Sequence, residues 1–239
     1  MSNKKKKKNS NYQTGKVKPT VKKKKKLSKD AIVGIVCLAV ILIATSIAIT
    51  FCALGNRSKF VKISVEGHGD IILELDPKTA PITVDNFLTL VNDGFYDGLT
   101  FHRILENFMI QGGDPKANGS GGNTDKNGKE INIKGEFSAN GVENNLAHKR
   151  GVISMARSND YDSASSQFFI CNADYPSLDG NYAAFGWVIA GMDVVDSITE
   201  EGMKYTSAAQ NGAISNKANQ PVITSITEIS KREAMRYAK

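Results

Sequence analysis

Cysteine and histidine, which carry thiol chemistry and most metal and proton-transfer chemistry, are scarce: the 239-residue chain has three of each. Cys37 and Cys52 fall inside an apolar run, which leaves Cys171 alone in the remainder. One cysteine closes no intramolecular bridge, so the domain is expected to be held by a hydrophobic core and not by disulfides. Its setting, "QFFICNA", reads as a buried structural thiol. Neither His102 nor His148 comes with a recognisable acid partner, which argues against a cysteine hydrolase, and His102 reads as structural. There is no internal repeat. The loop "DPKANGSGGNTDKNGKE" (114–130) looks like a phosphate loop but lacks the spaced lysine-serine pair and the following helix, so it reads as a surface loop.

Charge is missing altogether from residues 31–54, "AIVGIVCLAVILIATSIAITFCAL". As a helix this run would extend about 36 Å, longer than the roughly 30 Å hydrocarbon core of a bilayer. It is therefore expected to span a membrane. Acidic residues are equally rare before it: Lys4 to Lys8, Lys16, Lys18, Lys22 to Lys26 and Lys29 face Asp30 alone, a net of +12 in a chain of net +7, which leaves −5 for everything after residue 30. The positive-inside rule then puts the N-terminus in the cytoplasm and residues 56–239 outside it, a single-pass cell-membrane protein with an extracytoplasmic domain. A secretory signal cut near "ALG" (53–55) is the competing reading, but such signals are shorter. Bulky Phe51 before Cys52 argues against a lipoprotein. The lysine tail contains one aromatic residue, Tyr12, so nucleic-acid binding is unsupported, and a disordered segment drawn to anionic lipid is expected.

The expected organisation is a tail (1–30), a membrane helix (31–54), a linker (55–59), a folded domain (60–230) and a C-terminal tail (231–239). In "FVKISVEGHGDIILELD" apolar residues alternate on either side of "GHG", the pattern of a hairpin. "PKTAPITVDNFLTLVNDG" predicts a helix, with Pro81 in its first turn and Gly94 after its end, and "MDVVDSITE" (192–200) a second. Short apolar runs at 151–156, 166–171, 183–189 and 221–229 alternate with Gly/Asn-rich loops. Such a pattern predicts a mainly β fold, a closed antiparallel barrel capped by two helices.

"TFHRILENFMIQGGD" (100–114) sets one arginine among apolar neighbours. In an extended strand Phe101, Arg103 and Leu105 share a face. A packed barrel interior has no room for an unpaired guanidinium, so Arg103 is expected on the outer wall, beside exposed Phe and Met side chains. An apolar patch with one fixed hydrogen-bond fork reads as a recognition surface.

This stretch, followed by "RGVISMA", "SSQFFI" and "LDGNYAAFG", resembles the cyclophilin family of peptidyl-prolyl isomerases in the same order over residues 60–230. The resemblance implies an eight-stranded antiparallel barrel with two capping helices. It implies catalytic roles for Arg103 and Gln111, and substrate binding by Phe108, Met109, Ala156, Arg157, Gln167, Phe169, Leu178 and Tyr182. Arg157 departs from the family's common asparagine and Tyr182 from its pocket histidine. Ser177 stands where many members have the tryptophan that helps to bind cyclosporin, which implies weak binding of that drug. Rotation about an Xaa-Pro bond needs a grip on the ring, donors for the carbonyl side and a cation for the twisted amide, and no nucleophile, so no metal or cofactor is expected. The expected function is assistance to folding of exported or surface proteins, with proline-containing polypeptides as partners. The alternative is a membrane-tethered module or scaffold that binds proline segments without turnover.

Overall fold

The structure, a computed structural model, describes residues 28, 34, 36–46, 57–206 and 208–238. The chain divides into two units, Met1–Ala48 and Ile49–Lys239. In the first, residues 36–46 are helical and exposed. Among the described residues no helix is long and apolar enough to cross a membrane. Residues 31–33, 35 and 47–54 of the expected span, and nearly all of the lysine tail, lie outside the described residues.

The second unit is built on one eight-stranded antiparallel sheet. Its strands are β1 (Lys59–Val65), β2 (Gly69–Leu75), β3 (Phe101–Leu105), β4 (Met109–Gly112), β5 (Val152–Met155), β6 (Phe168–Cys171), β7 (Ala184–Ala190) and β8 (Ile223–Ile229). The order across the sheet is β3-β4-β6-β5-β7-β2-β1-β8. The sheet curls so that its ends approach, yet the expected closure is incomplete. Among the described residues end strands β3 and β8 form no ladder with each other; the chain just before each is joined by one isolated bridge, Thr100 with Val222. Past that point the free edge of β3 is taken by the connection before β8: Ile104 N–H donates to the Gly212 carbonyl (2.8 Å) and Ile214 N–H to the His102 carbonyl (2.9 Å). Because those backbone groups are already satisfied, β8 cannot zip onto β3, and an open half-barrel results.

Three helices pack on this sheet: α1 (Pro81–Asn92), α2 (Met192–Met203) and α3 (Lys231–Tyr237). Pro81 opens α1 and Gly94 follows its end in a left-handed conformation, φ 67°. Ala80, at the α1 cap position, has no capping side chain. Buried Glu136 supplies the acceptors instead, taking the N–H groups of Ile82 (3.0 Å) and Thr83 (2.8 Å) and the Thr83 hydroxyl (2.7 Å). Residues past 230, expected as a tail, form α3, capped by the Ser230 side chain; its Ala234 is buried against Phe60 and Ile72.

The interior is filled by aliphatic strand residues and an aromatic group in which Phe87 of α1 meets Tyr96, Phe168 and Phe185 at ring separations of 5.3, 5.5 and 5.3 Å. Ile110 and Ile170 point into this core. Their neighbours Met109, Phe169 and Cys171 point through the other face, where they form a separate apolar cluster with Leu178. Period-two alternation thus makes one wall serve two apolar bodies.

Candidate active site

Strand register assembles the site. Pairing of β3 with β4 sets Arg103 opposite Gln111, and pairing of β4 with β6 sets Gln111 opposite Phe169 and Met109 opposite Cys171. Phe101 and Arg103 do not share a face as the alternation predicts. The register shifts between them, and the bulge turns Phe101 into the core while Arg103 stays half-buried outside. Met109 and Phe169 are not exposed either: with Cys171 and Leu178 they form a buried floor, and Leu105, Phe108, Ala156 and Tyr182 pack around it. Burial pushes the Cys171 thiol up to about 12, consistent with an inert structural thiol.

A cleft of about 140 Å³ opens over this floor, lined by Arg103, Phe108, Met109, Gln111, Ala156, Arg157, Phe169, Leu178 and Tyr182. Nine of the ten residues singled out in the sequence meet there. The tenth, Gln167, lies one hydrogen bond behind. Arg103 is held at the mouth from two sides, with Nε donating to the Asn211 carbonyl (2.9 Å) and Nη1 to Gln111 Oε1 (3.0 Å). Gln111 Nε2 donates to Gln167 Oε1 (2.8 Å), and Gln167 Nε2 to the carbonyls of Gly121 (2.7 Å) and Gly119 (3.1 Å). The loop at 114–130 is therefore a supporting part and not only surface. Buried Asp114 shapes it by accepting N–H groups of Lys116, Asn118 and Gly119 at 2.7, 3.0 and 2.6 Å. Burial raises the Asp114 carboxyl, but those donors outweigh it and its pKa falls below the usual range.

Burial lowers the pKa of Arg103, and nearby Tyr182 works against that shift. Its guanidinium also lies 5.9 Å from the Phe108 ring centre. Nη2 makes no hydrogen bond among the described residues, which leaves a donor over on a side chain that lines the cleft. At the opposite rim the Ala156 N–H is engaged by the Gln167 carbonyl (3.0 Å), whereas the Ala156 carbonyl and the Arg157 N–H have no hydrogen-bond partner among the described residues. They are the free main-chain groups of that rim.

Three parts of the site were not legible in the sequence. Asn211 lies in the stretch 202–220, which carries no readable signal, and it acts through its carbonyl, a group every residue has. Tyr175 stacks on Phe108 at 4.2 Å and extends the aromatic wall. His148 does have an acid partner: its Nδ1 lies 2.9 Å from Asp179 Oδ1, its Nε2 lies 3.0 Å from the Ser154 hydroxyl, and its ring stacks behind Phe169. Ser154 is wholly buried, so this serine-histidine-aspartate row is part of the framework.

A family model described as "Cyclophilin type peptidyl-prolyl cis-trans isomerase/CLD" matches residues 60–227. "Peptidyl-prolyl cis-trans isomerase A" of Dickeya dadantii is 39% identical over 171 residues, covering 69% of this chain and 81% of that protein. The "Peptidyl-prolyl cis-trans isomerase" of Helicobacter pylori strain 26695 is 43% identical over 134 residues, 55% of this chain and 76% of that one. A Cryptosporidium parvum cyclophilin-type isomerase superposes with a TM-score of 0.61 at 28% identity, over 73% of this chain and 99% of its own. The same protein was crystallised in the presence of the dipeptide Ala-Pro, with a TM-score of 0.59. With the family model spanning most of its length and an apolar cleft beside a fixed guanidinium at its outer wall, the chain belongs to the cyclophilin-type peptidyl-prolyl cis-trans isomerases.

Proposed function

We propose that Arg103 catalyses rotation about Xaa-Pro bonds of polypeptides whose proline ring sits on Met109, Phe169 and Leu178. The observation that carries this reading is the guanidinium fixed by Asn211 and Gln111 at the mouth of an apolar cleft, with a donor left over. A peptide bond resists rotation by about 18–20 kcal/mol because the nitrogen lone pair is delocalised into the carbonyl. Midway through rotation that conjugation is broken and the nitrogen becomes a hydrogen-bond acceptor. A positioned cation is then bound more strongly by the twisted amide than by the planar one, which lowers the barrier. Phe108 and Tyr182 wall the ring, Gln111 aligns Arg103, Gln167 aligns Gln111, and the free main-chain groups of Ala156 and Arg157 hold the substrate backbone. No step requires a proton to move.

Exposed Ser177, beside Leu178, offers no ring to a bulky cyclic ligand, which supports weak cyclosporin binding. The charge-free run over 31–54 behind a lysine-rich tail supports an anchored domain outside the cytoplasm, where exported chains fold and uncatalysed proline isomerisation takes about 10–100 s. The deciding test is a cis/trans assay on an Ala-Pro peptide with the parent and Arg103→Ala. Catalysis by the parent that falls about 100- to 1000-fold in the variant, the scale of one lost transition-state donor, supports the assignment. Peptide binding by a folded parent with interconversion at the uncatalysed rate would make the domain a binding module.

A further inference from the structure

Arg157 stands apart from the other charged groups of the site. Its guanidinium lies 4.5 Å from the ring centre of Tyr182, 4.9 Å from that of Tyr161 and 5.2 Å from that of Phe137. Nε and Nη2 donate to the Asn181 carbonyl at 3.0 and 2.9 Å, and Nη1 donates to the Ser158 carbonyl at 2.8 Å. Three aromatic faces and two carbonyls thus fix the plane of the group before any ligand arrives, so little further ordering is required to bind one. Carbonyls and rings leave the charge in place: among the described residues no carboxylate lies within ion-pair distance of Arg157. Of five guanidinium N–H groups, the three described bonds leave two to offer.

Its position is equally specific. The proline cleft adjoins a polar cleft of about 320 Å³ lined by Gln111, Gly119, Gly121, Glu130, Arg157 and Ser163, among others. Arg157 lines both clefts and is the shared cation between them. Arg103 adds a second cation to the proline cleft, which no acidic side chain lines. The one acidic side chain lining the polar cleft, Glu130, lies beside Gly122. A side chain next to the bound proline therefore meets positive potential, and only one reaching farther along the polar cleft meets a carboxylate.

We infer that Arg157 is a specificity-determining residue that selects substrates bearing a carboxylate side chain adjacent to the proline. This rests on the proposed isomerase reading of the same site, and the test separates the two. The full chain and Arg157→Gln are assayed with peptides identical except for Glu, Ala or Lys at the residue before the proline, and with a second set varied at the residue after it. The parent is expected to favour Glu over Lys in kcat/KM by about fivefold or more in one of the sets, ~1 kcal/mol. That ratio should fall below about twofold in Arg157→Gln and shrink as salt is raised, because the interaction is between partly exposed charges. Equal rates for Glu and Lys peptides in both sets, or a preference that survives Arg157→Gln unchanged, would overturn the inference. Loss of aromatic packing alone would slow all peptides together and leave the ratio intact, which also overturns it. If the parent fails to turn over the Ala peptide, the isomerase reading fails, and the Glu-to-Lys ratio measured as Kd still decides the charge selectivity.

Discussion

His102 and His148 are buried, and burial lowers the pKa of each below the ordinary 6.5, with Asp114 and Asp179 respectively working against the shift. An unfolded chain then takes up protons near pH 6.5 that the folded chain refuses. Stability contributed by the neutral rings is complete above that value and declines as pH drops through it toward the folded pKa values. The melting temperature should therefore hold steady above about pH 7.5 and fall as the pH is lowered through about 6.5, and His148→Gln should flatten part of that fall. A pH-independent melting temperature across this range would contradict the assignment. Catalysis follows a different rule, since the Arg103 guanidinium is a permanent cation and no proton is transferred. At this scale the sequence was most informative where chemistry and proximity coincide. Arg103, Phe108, Met109 and Gln111 lie within nine positions, and their types announce the site. Asn211 stayed hidden because a main-chain carbonyl has no residue signature, and the Asp179 partner of His148 because the two are 31 positions apart.

Two connecting segments hold the elements, one at the site and one away from it. Gly212 lets the segment before β8 lie along β3: its φ is 80°, and a Cβ there would come within 2.5 Å of the Ile104 carbonyl and 2.6 Å of Leu105 Cγ. Gly212→Ala should push the neighbouring Asn211 carbonyl off Arg103 and reduce kcat/KM on the order of 10- to 100-fold, as misplacement of a catalytic group by about 1 Å does. Normal turnover by that variant would show that Asn211 is dispensable. Glu136 has a structural counterpart role. Its carboxylate satisfies the α1 terminus from 54 residues away, and Glu136→Ala should cost about 1–3 kcal/mol in urea unfolding while the cleft, which it does not line, keeps its activity in the folded fraction. Strands and both longer helices were legible because hydrophobic periods are local. The unsealed seam and the bulge at Phe101–Arg103 were not, because each depends on which distant segment reaches an edge first. Helix α3 was missed because "KREAMRY" shows only a weak apolar face, of which Ala234 alone is buried.

Across the whole molecule, the proposed anchor predicts that the full chain sediments with membranes and that protease added outside intact cells removes residues 57–239. Recovery in the soluble cytoplasmic fraction would refute it. The lysines before residue 31 bear on the same question, since a lysine-rich flank next to an apolar run is the feature that the proposed orientation rests on. One further consequence comes from the wall whose strands send Ile110 and Ile170 one way and Met109 and Phe169 the other. The residues proposed to hold a ligand belong to a cluster separate from the one that fills the interior of the sheet. Selection can therefore try new side chains at the cleft without first accumulating compensating changes in the core, and lineages that share this framework are free to diverge in what they bind long before they diverge in shape.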